Sequence, residues 1–267
     1  MTPLRLIDRF DHFLIDLDGV VYIGDRPTPR AAETLNALHA AGKKRRFITN
    51  DPRHTADVYA QKLRRLDIPA EPTEFLTSGR AAALYLQKEG RLSEPVFVVG
   101  SDGLRSEIES VGGCVLEGAE GVGARIVVVG GHEAFSYPEL KIAALAIQRG
   151  ATFIATNRDA TFPMPDGLWP GTGPIVAAIE YATGVAPVVV GKPEKAVFEI
   201  ALGLFPPGGR TAMIGDRLDS DILGGRRAGL ATILVLSGCT SRTEAERSPI
   251  HPDYIIENLA QIATPLS

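Results

Sequence analysis

The sequence predicts an α/β protein with a doubly wound, Rossmann-like parallel-sheet core and a smaller α/β domain inserted into it. Three observations carry this expectation. Short apolar runs alternate with helical segments along nearly all of the 267 residues. Several of these runs end in polar residues, as strands do where an open α/β sheet delivers side chains to a ligand. A second series of the same kind fills the middle of the chain, and the first pattern then resumes. The expected boundaries are 1–79 and 187–267 for the core and 80–186 for the insert.

In chain order, Phe13-Leu14-Ile15-Asp16-Leu17-Asp18-Gly19 reads as a buried strand that ends in two carboxylates. The stretch from Val20 to Pro29 is too rich in Gly and Pro for a helix and reads as a short flap. Arg30–Ala41 reads as a helix closed by Gly42. Arg46-Phe47-Ile48-Thr49-Asn50 is a second apolar strand with a polar end, and Asp51-Pro52 starts a helix from His54 to Leu66. In the middle series, strands are expected at Val96–Gly100, Ile126–Gly130 and Thr152–Thr156, with helices at Ser101–Val111, Tyr137–Gln148 and Pro174–Thr183. The resumed pattern gives Val188–Val190, a helix at Lys195–Leu204, Thr211–Asp216, a helix at Ser220–Ala228, Thr232–Leu236 and Tyr254–Ile256.

Composition bounds the function. An apolar content of 45% with 22% charged residues is that of a globular protein. No apolar run approaches the roughly 18 residues of a membrane span, and Met1–Asp8 lacks the pattern of a signal peptide, so a cytoplasmic protein is expected. The net charge of −4 speaks against a nucleic-acid binder. Lys43-Lys44-Arg45-Arg46 is expected as a solvated helix C-terminus. Cys114 and Cys239 lack metal-ligand or disulfide-framework spacing and are expected as buried small residues.

Asp16 and Asp18 stand two apart, so on a strand they face one place. Close carboxylates repel unless a cation sits between them or one holds a proton, which implies a metal site or an acid/base pair; an ordinary Asp-Gly turn is the alternative. Three further strand ends complement them: Thr49 and Asn50 bring a hydroxyl and an amide, Lys192 a cation, and Asp216, Asp219 and Asp221 more carboxylates. Together they describe a site for a metal and a phosphate. Magnesium takes one or two protein carboxylates and leaves its other positions to water and phosphate. Thr49, Asn50 and Lys192 would hold the phosphate. Asp51 at the same strand end is counted with this substrate-binding set, with a helix-capping carboxylate as its alternative.

At these motifs the chain resembles the haloacid dehalogenase superfamily of aspartate-dependent phosphotransferases. Asp16-Leu17-Asp18-Gly19-Val20-Val21-Tyr22, Thr49-Asn50, Gly191-Lys192-Pro193 and Gly215-Asp216-Arg217-Leu218-Asp219-Ser220-Asp221-Ile222 stand where its four motifs stand. The middle of the chain is similar to the α/β cap of the p-nitrophenylphosphatase-like branch, through Phe135-Ser136-Tyr137, Phe153–Asp159 and Pro170-Gly171-Thr172-Gly173. The resemblance implies a phosphomonoester hydrolase for a small sugar, glycerol, glycolate or nucleotide phosphate. Asp16 would be the nucleophile that forms an aspartyl-phosphate, Asp18 the general acid and base, and Lys192 the neutralising cation. Mg2+ would be held by Asp16, the backbone carbonyl of Asp18 and Asp216, with Asp221 acting through water. Asp219 is expected as a turn carboxylate. The expected partner is the small-molecule substrate, with no nucleic acid and no membrane; the resemblance also suggests a homodimer through the cap, as in some members.

Departures from the family narrow the substrate. Asp51-Pro52 replaces the second asparagine and small hydroxyl residue common after Thr-Asn, and Phe162 stands where pyridoxal-phosphate-type members tend to carry a histidine. Phe162, Met164 and Trp169 would form either an apolar wall for the leaving group or cap core. His132 is expected as a solvated loop histidine. Two other classes compete. A dinucleotide-binding oxidoreductase lacks the Gly-x-Gly-x-x-Gly spacing after Val99 or Val129. A non-catalytic phosphometabolite-binding protein would keep the fold without turnover.

Overall fold

The computed structural model describes residues 5–164 and 166–264; Met1–Leu4 of the N-terminal stretch lie outside them. The chain forms two compact units. The first comprises residues 1–49, 57–76 and 192–267, and the second residues 50–56 and 77–191. The second unit thus takes in 50–56, 77–79 and 187–191 besides the 80–186 expected from the sequence.

The first unit is built on a six-stranded sheet in the order Tyr254–Ile256, Ala231–Val235, Thr211–Gly215, His12–Ile15, Lys44–Thr49, Phe75–Thr77. The pairings from Tyr254–Ile256 through Lys44–Thr49 are parallel. His12–Ile15 is central and buried on both faces, as the unbroken apolar run requires. Its register sets Ile15 beside both Ile214 and Phe47. The chain leaves this strand toward Lys44–Thr49 and returns on the other side at Thr211–Gly215, so the order reverses here. That reversal opens a crevice at the carboxyl ends of the strands, and Asp16 and Asp216 follow the two strands that flank it.

The second unit carries a five-stranded parallel sheet in the order Val188–Val189, Thr152–Ala155, Ile126–Val129, Pro95–Val99, Cys114–Leu116. Its core packs Val127, Val129, Phe153 and Ala155 against Ile142, Ala143 and Ala146 of the helix Tyr137–Gln148 and Val176 and Ile179 of the helix Thr172–Thr183. Local chemistry explains the helix starts. Ser136 and Glu139 form a reciprocal capping box, and Ser101 caps Asp102–Ser110 by accepting from Leu104 N at 3.3 Å. A two-stranded hairpin, Thr161–Met164 with Gly167–Pro170, stands apart from this sheet.

Several elements differ from the sequence reading. The strands Phe75–Thr77 and Cys114–Leu116 are three residues each, too short to show a period. The helix Ser78–Lys88 opens on Ser-Gly and is capped by Thr77. The helix after Asp51-Pro52 begins only at Ala56, because Pro52 and Arg53 turn into the second unit, where their carbonyls accept from the Ser101 hydroxyl at 3.3 and 3.1 Å. The expected flap is a minimal hairpin, Tyr22–Ile23 with Arg26–Pro27. Both cysteines are exposed and free, against the expected burial. Among the described residues no helix is long and apolar enough to cross a membrane.

The basic run is not a solvated helix end. Lys44, Arg45 and Arg46 begin a strand, and the Arg45 side chain is only 3% exposed. Its guanidinium donates to Glu74 Oε1 at 2.9 Å, Leu35 O at 3.0 Å and the carbonyl of Pro69. Truncation would strand these acceptors and the Glu74 charge, a mechanism that costs several kcal/mol in buried pairs. We expect Arg45→Ala to lower unfolding free energy by about 3 kcal/mol in a urea titration, with Arg45→Lys intermediate because an ammonium cannot serve three partners in one plane.

Candidate active site

The site grows from strand ends of the first unit. Asp16 follows His12–Ile15 directly, and its backbone N–H donates to Ile214 O at 2.9 Å, which extends the ladder by one bond and turns the carboxylate into the crevice. Asp216 follows Thr211–Gly215. Asp221 lies in the single π-turn Leu218–Ile222, where its Oδ2 accepts from Arg217 N at 3.1 Å. One carboxylate oxygen from each of Asp16, Asp216 and Asp221 lies within 4.8 Å of the others, and all three residues are buried.

Lys192 holds this group together. Its side chain is 3% exposed, and its Nζ lies 2.7 Å from Asp16 Oδ1 and 2.7 Å from Asp221 Oδ1. It also donates to Ile48 O at 3.4 Å. Burial acts to lower the ammonium's pKa, but the two facing carboxylates outweigh it and the net shift is upward. Lys192 is therefore a permanent cation.

The carboxylates move the other way from ordinary acids. Burial pushes Asp16 well up, the neighbouring Asp221 adds to it, and Lys192 only partly offsets both. Burial and Asp221 raise Asp216 to about 6. Three carboxylates and one ammonium leave a formal deficit that one divalent cation balances. Asp216 shows where it would bind. Its Oδ2 accepts from Cys239 N at 2.7 Å, whereas its Oδ1 is buried with no hydrogen-bond partner. An unpaired buried carboxylate oxygen beside two others is a donor set suited to a hard cation such as Mg2+.

Close backbone approach makes this geometry possible. A Cβ on Gly19 would lie 2.3 Å from Asp216 Oδ2, one on Gly238 2.0 Å from the same atom, and one on Gly215 2.2 Å from Asp221 Cβ. Gly19 also has φ +77°, a conformation that side chains disfavour. The segment Ser237-Gly238-Cys239, which follows the strand Ala231–Val235, thus belongs to the site: Ser237 donates to Gly19 O at 2.7 Å and Cys239 N binds Asp216. The sequence reading passed over it, although it repeats the signal of an apolar strand ending in small polar residues. Although Cys239 is exposed as a residue, desolvation at its thiol, with Asp216 next to it, pushes it up to about 11.

The remaining expected residues divide. Asp18 is exposed and bridges to Tyr22, and its carboxylate is not part of the three-carboxylate group. The strand stops at Ile15, so the two-residue alternation does not extend to Asp18. Thr49 ends its strand and is buried. Asn50 and Asp51 lie in the second unit. The Asn50 side-chain amide donates to both Asp159 oxygens, at 3.2 and 3.1 Å, and the Asn50 backbone carbonyl accepts from Asn157 Nδ2 and Ser78 Oγ, both at 2.6 Å. Asp51 binds Arg53. Asp219 is an exposed turn carboxylate paired with Arg217 at 3.1 Å. His132 is not solvated: its side chain is 9% exposed, with Nε2 3.3 Å from Glu139 Oε1, and burial lowers its pKa.

Comparison with known proteins settles the family. Residues 13–114 match the model of the haloacid dehalogenase-like hydrolases, and residues 189–262 match a second hydrolase model of the same kind. An acid sugar phosphatase of Staphylococcus haemolyticus is 34% identical over 248 residues, covering 92% of this chain and 93% of the relative. The chain belongs to the haloacid dehalogenase-like hydrolases. Within that family, a p-nitrophenyl phosphatase from Archaeoglobus fulgidus superposes with a TM-score of 0.88 at 32% identity, covering 95% of this chain and 98% of that one. A glycerol phosphate phosphatase from Mycobacterium tuberculosis, solved in complex with magnesium, gives a TM-score of 0.90 at 34% identity, covering 97% and 79%.

Two outcomes follow from the site. Gly238→Ala would drive a methyl group into Asp216, and we expect at least a tenfold loss of divalent-cation affinity by calorimetry, with the fold retained. The raised acids also set a pH dependence. A proton and a cation compete for the same oxygens, so cation affinity should fall as pH drops through about 6, the value for Asp216, with the raised Asp16 adding to the fall. Cation titrations at pH 5 and pH 7.5 would show it, and Asp216→Asn should reduce the difference.

Proposed function

We propose that this haloacid dehalogenase-like hydrolase is a magnesium-dependent phosphomonoesterase acting on a small sugar or polyol phosphate through an aspartyl-phosphate on Asp16. The observation that carries this reading is the buried group formed by Asp16, Asp216, Asp221 and Lys192, with Lys192 Nζ 2.7 Å from Asp16. The names of the relatives support the leaving-group class: acid sugar phosphatase, glycerol phosphate phosphatase and p-nitrophenyl phosphatase.

Asp16 attacks phosphorus as the bond to the leaving alcohol breaks, and Asp18 gives its proton to the departing oxygen. Asp18, now a carboxylate, takes a proton from the water that attacks the same phosphorus, which releases phosphate and restores Asp16. An exposed Asp18 suits this exchange better than the buried Asp16, because it must meet both an alcohol and water. Lys192 offsets the charge of Asp16 and the phosphate, and Thr49 offers a hydroxyl donor. Asp16, Asp216 and the Asp18 carbonyl would hold magnesium, which would supply Lewis-acid stabilisation of the phosphate oxygens. The second unit is proposed as the substrate-selecting cap. Phe162, Met164 and Trp169, half-buried on its hairpin, are proposed as surface for the leaving group.

The test is phosphate release from sugar phosphates, glycerol phosphate, phosphoglycolate, nucleotides and p-nitrophenyl phosphate, with and without magnesium. We expect turnover that chelation abolishes and that Asp16→Asn lowers about 10³-fold or more. A folded wild-type protein that binds phosphate esters but releases no phosphate would turn the reading to a non-catalytic binding protein.

A further inference from the structure

The amino ends of the first unit's strands, opposite the carboxylates, carry a concentration of charge of the other sign. A cleft of about 270 Å³ opens there, where the helix Ala31–Ala40 gives way to the strand Lys44–Thr49. His39, Lys43, Lys44, Arg45 and Arg46 line it, and Glu74 is the one acid among its lining residues. In a chain of net charge −4 this is a local reversal of sign. A neighbouring cleft of about 480 Å³ shares Phe205 and Pro206 with it but has no lysine or arginine in its lining, so concavity alone does not gather cations here.

What the cations already touch decides which charges are left over. Arg45 is engaged with Glu74, so the acid of the cleft is neutralised from within. The helix end needs none of the others: Gly42 N donates to His39 O and Lys43 N to Leu38 O, both at 3.0 Å, with Gly42 at φ +69°, a closure made by backbone alone. Lys43 Nζ donates to Phe10 O at 2.8 Å, a neutral acceptor. The half-buried Arg46 lies over the Phe205 ring, 5.5 Å from its centroid, and donates to the carbonyls of Leu204 and Thr73, which are neutral too and leave N–H groups of the guanidinium over. Burial lowers its pKa, with only the Glu74 charge acting against it, as befits a cation short of water. Lys44 is exposed, and its ammonium has no hydrogen bond or ion pair among the described residues.

We propose that this cleft is a binding site for a small phosphate-bearing anion of two or more negative charges, separate from the catalytic group. A half-withdrawn guanidinium whose charge no carboxylate meets gains its partner when an oxyanion enters, and its planar N–H groups suit phosphate oxygens. Lys43 and Lys44 add point charges beside it. The volume lies at the lower end for small-molecule sites, which limits the size of the ligand. Lys44 and Thr49 stand at opposite ends of one strand, roughly 17 Å apart at the usual rise per residue. An anion in the cleft and a phosphate at Asp16 therefore do not compete for the same groups.

The test uses the full chain with divalent cations chelated by EDTA, and inorganic pyrophosphate as the probe. Calorimetry gives the dissociation constant, and the ring-proton NMR signals of the five histidines give the place, with His39 assigned from His39→Gln. We expect the His39 signal to move on titration while that of His132, in the second unit, stays. Lys44→Glu, a change at an exposed residue, should weaken binding about tenfold or more, and Arg46→Lys, which keeps the charge but not the planar donors, should weaken it less. Lys141→Glu, at an exposed lysine of the second unit, should leave it unchanged. An equal loss in Lys141→Glu would mean a general effect of net charge, and wild-type affinity in Lys44→Glu or an unmoved His39 signal would put the anion elsewhere. Each of these results, or no binding at millimolar pyrophosphate, would overturn the proposal.

Discussion

The buried ammonium of Lys192 sets the terms for everything around it. A lysine with 3% of its side chain exposed is tolerable only if its charge is met at contact distance, and here Asp16 and Asp221 meet it at 2.7 Å each. The reverse holds for the acids. Three buried carboxylates lie within 4.8 Å of one another, and burial together with the Asp221 charge raises Asp16 and Asp216. Three carboxylates against one ammonium make a charge set that one divalent cation would balance. A core built for stability alone would avoid it, so the arrangement points to chemistry.

The fold is what lets four distant segments of the chain share this place. Parallel strands present all their carboxyl ends on one side, and the reversal of strand order beside His12–Ile15 opens the crevice there. Asp16 and Asp216 arrive on adjacent strands, while Lys192 comes from the segment that re-enters the first unit. Glycines at 19, 215 and 238 let backbone and carboxylate approach to distances that any side chain would block. The same residues weaken the local chain, a cost accepted where close approach matters more.

Much of this was legible in the sequence, and the reasons are specific. Long apolar runs such as Ile126–Val129 and the capped, periodic helix Tyr137–Gln148 were read nearly to the residue, because burial and capping are local signals. Polar residues after apolar strands marked Asp16, Thr49, Lys192 and Asp216. What failed was non-local. The role of Ser237-Gly238-Cys239 depends on which strand lies beside Thr211–Gly215, and the burial of Arg45 depends on acceptors at Leu35, Pro69 and Glu74. Asp18 was placed on a strand that stops at Ile15, since the backbone turns toward Tyr22 and its bridge, which no two-residue alternation reveals. Asp51 was read from its strand-end position, but its partner Arg53 is set by a turn two residues long.

A division of labour follows from what the side chains touch. Every phosphomonoester presents the same phosphate, so groups that meet only the phosphate treat all of them alike. Discrimination between alcohols must then come from groups that meet the part of the molecule that differs. Residues 50–53 are directly continuous with Thr49, yet their side chains are bound to Asp159 and Phe162 in the second unit. A substitution at Arg53 can therefore alter the hairpin without touching the carboxylates, whereas one at Gly238 reaches Asp216 without touching the hairpin. The buried carboxylates and the contacts of residues 50–53 form separate networks in this chain, and such networks vary independently when no residue is shared between them.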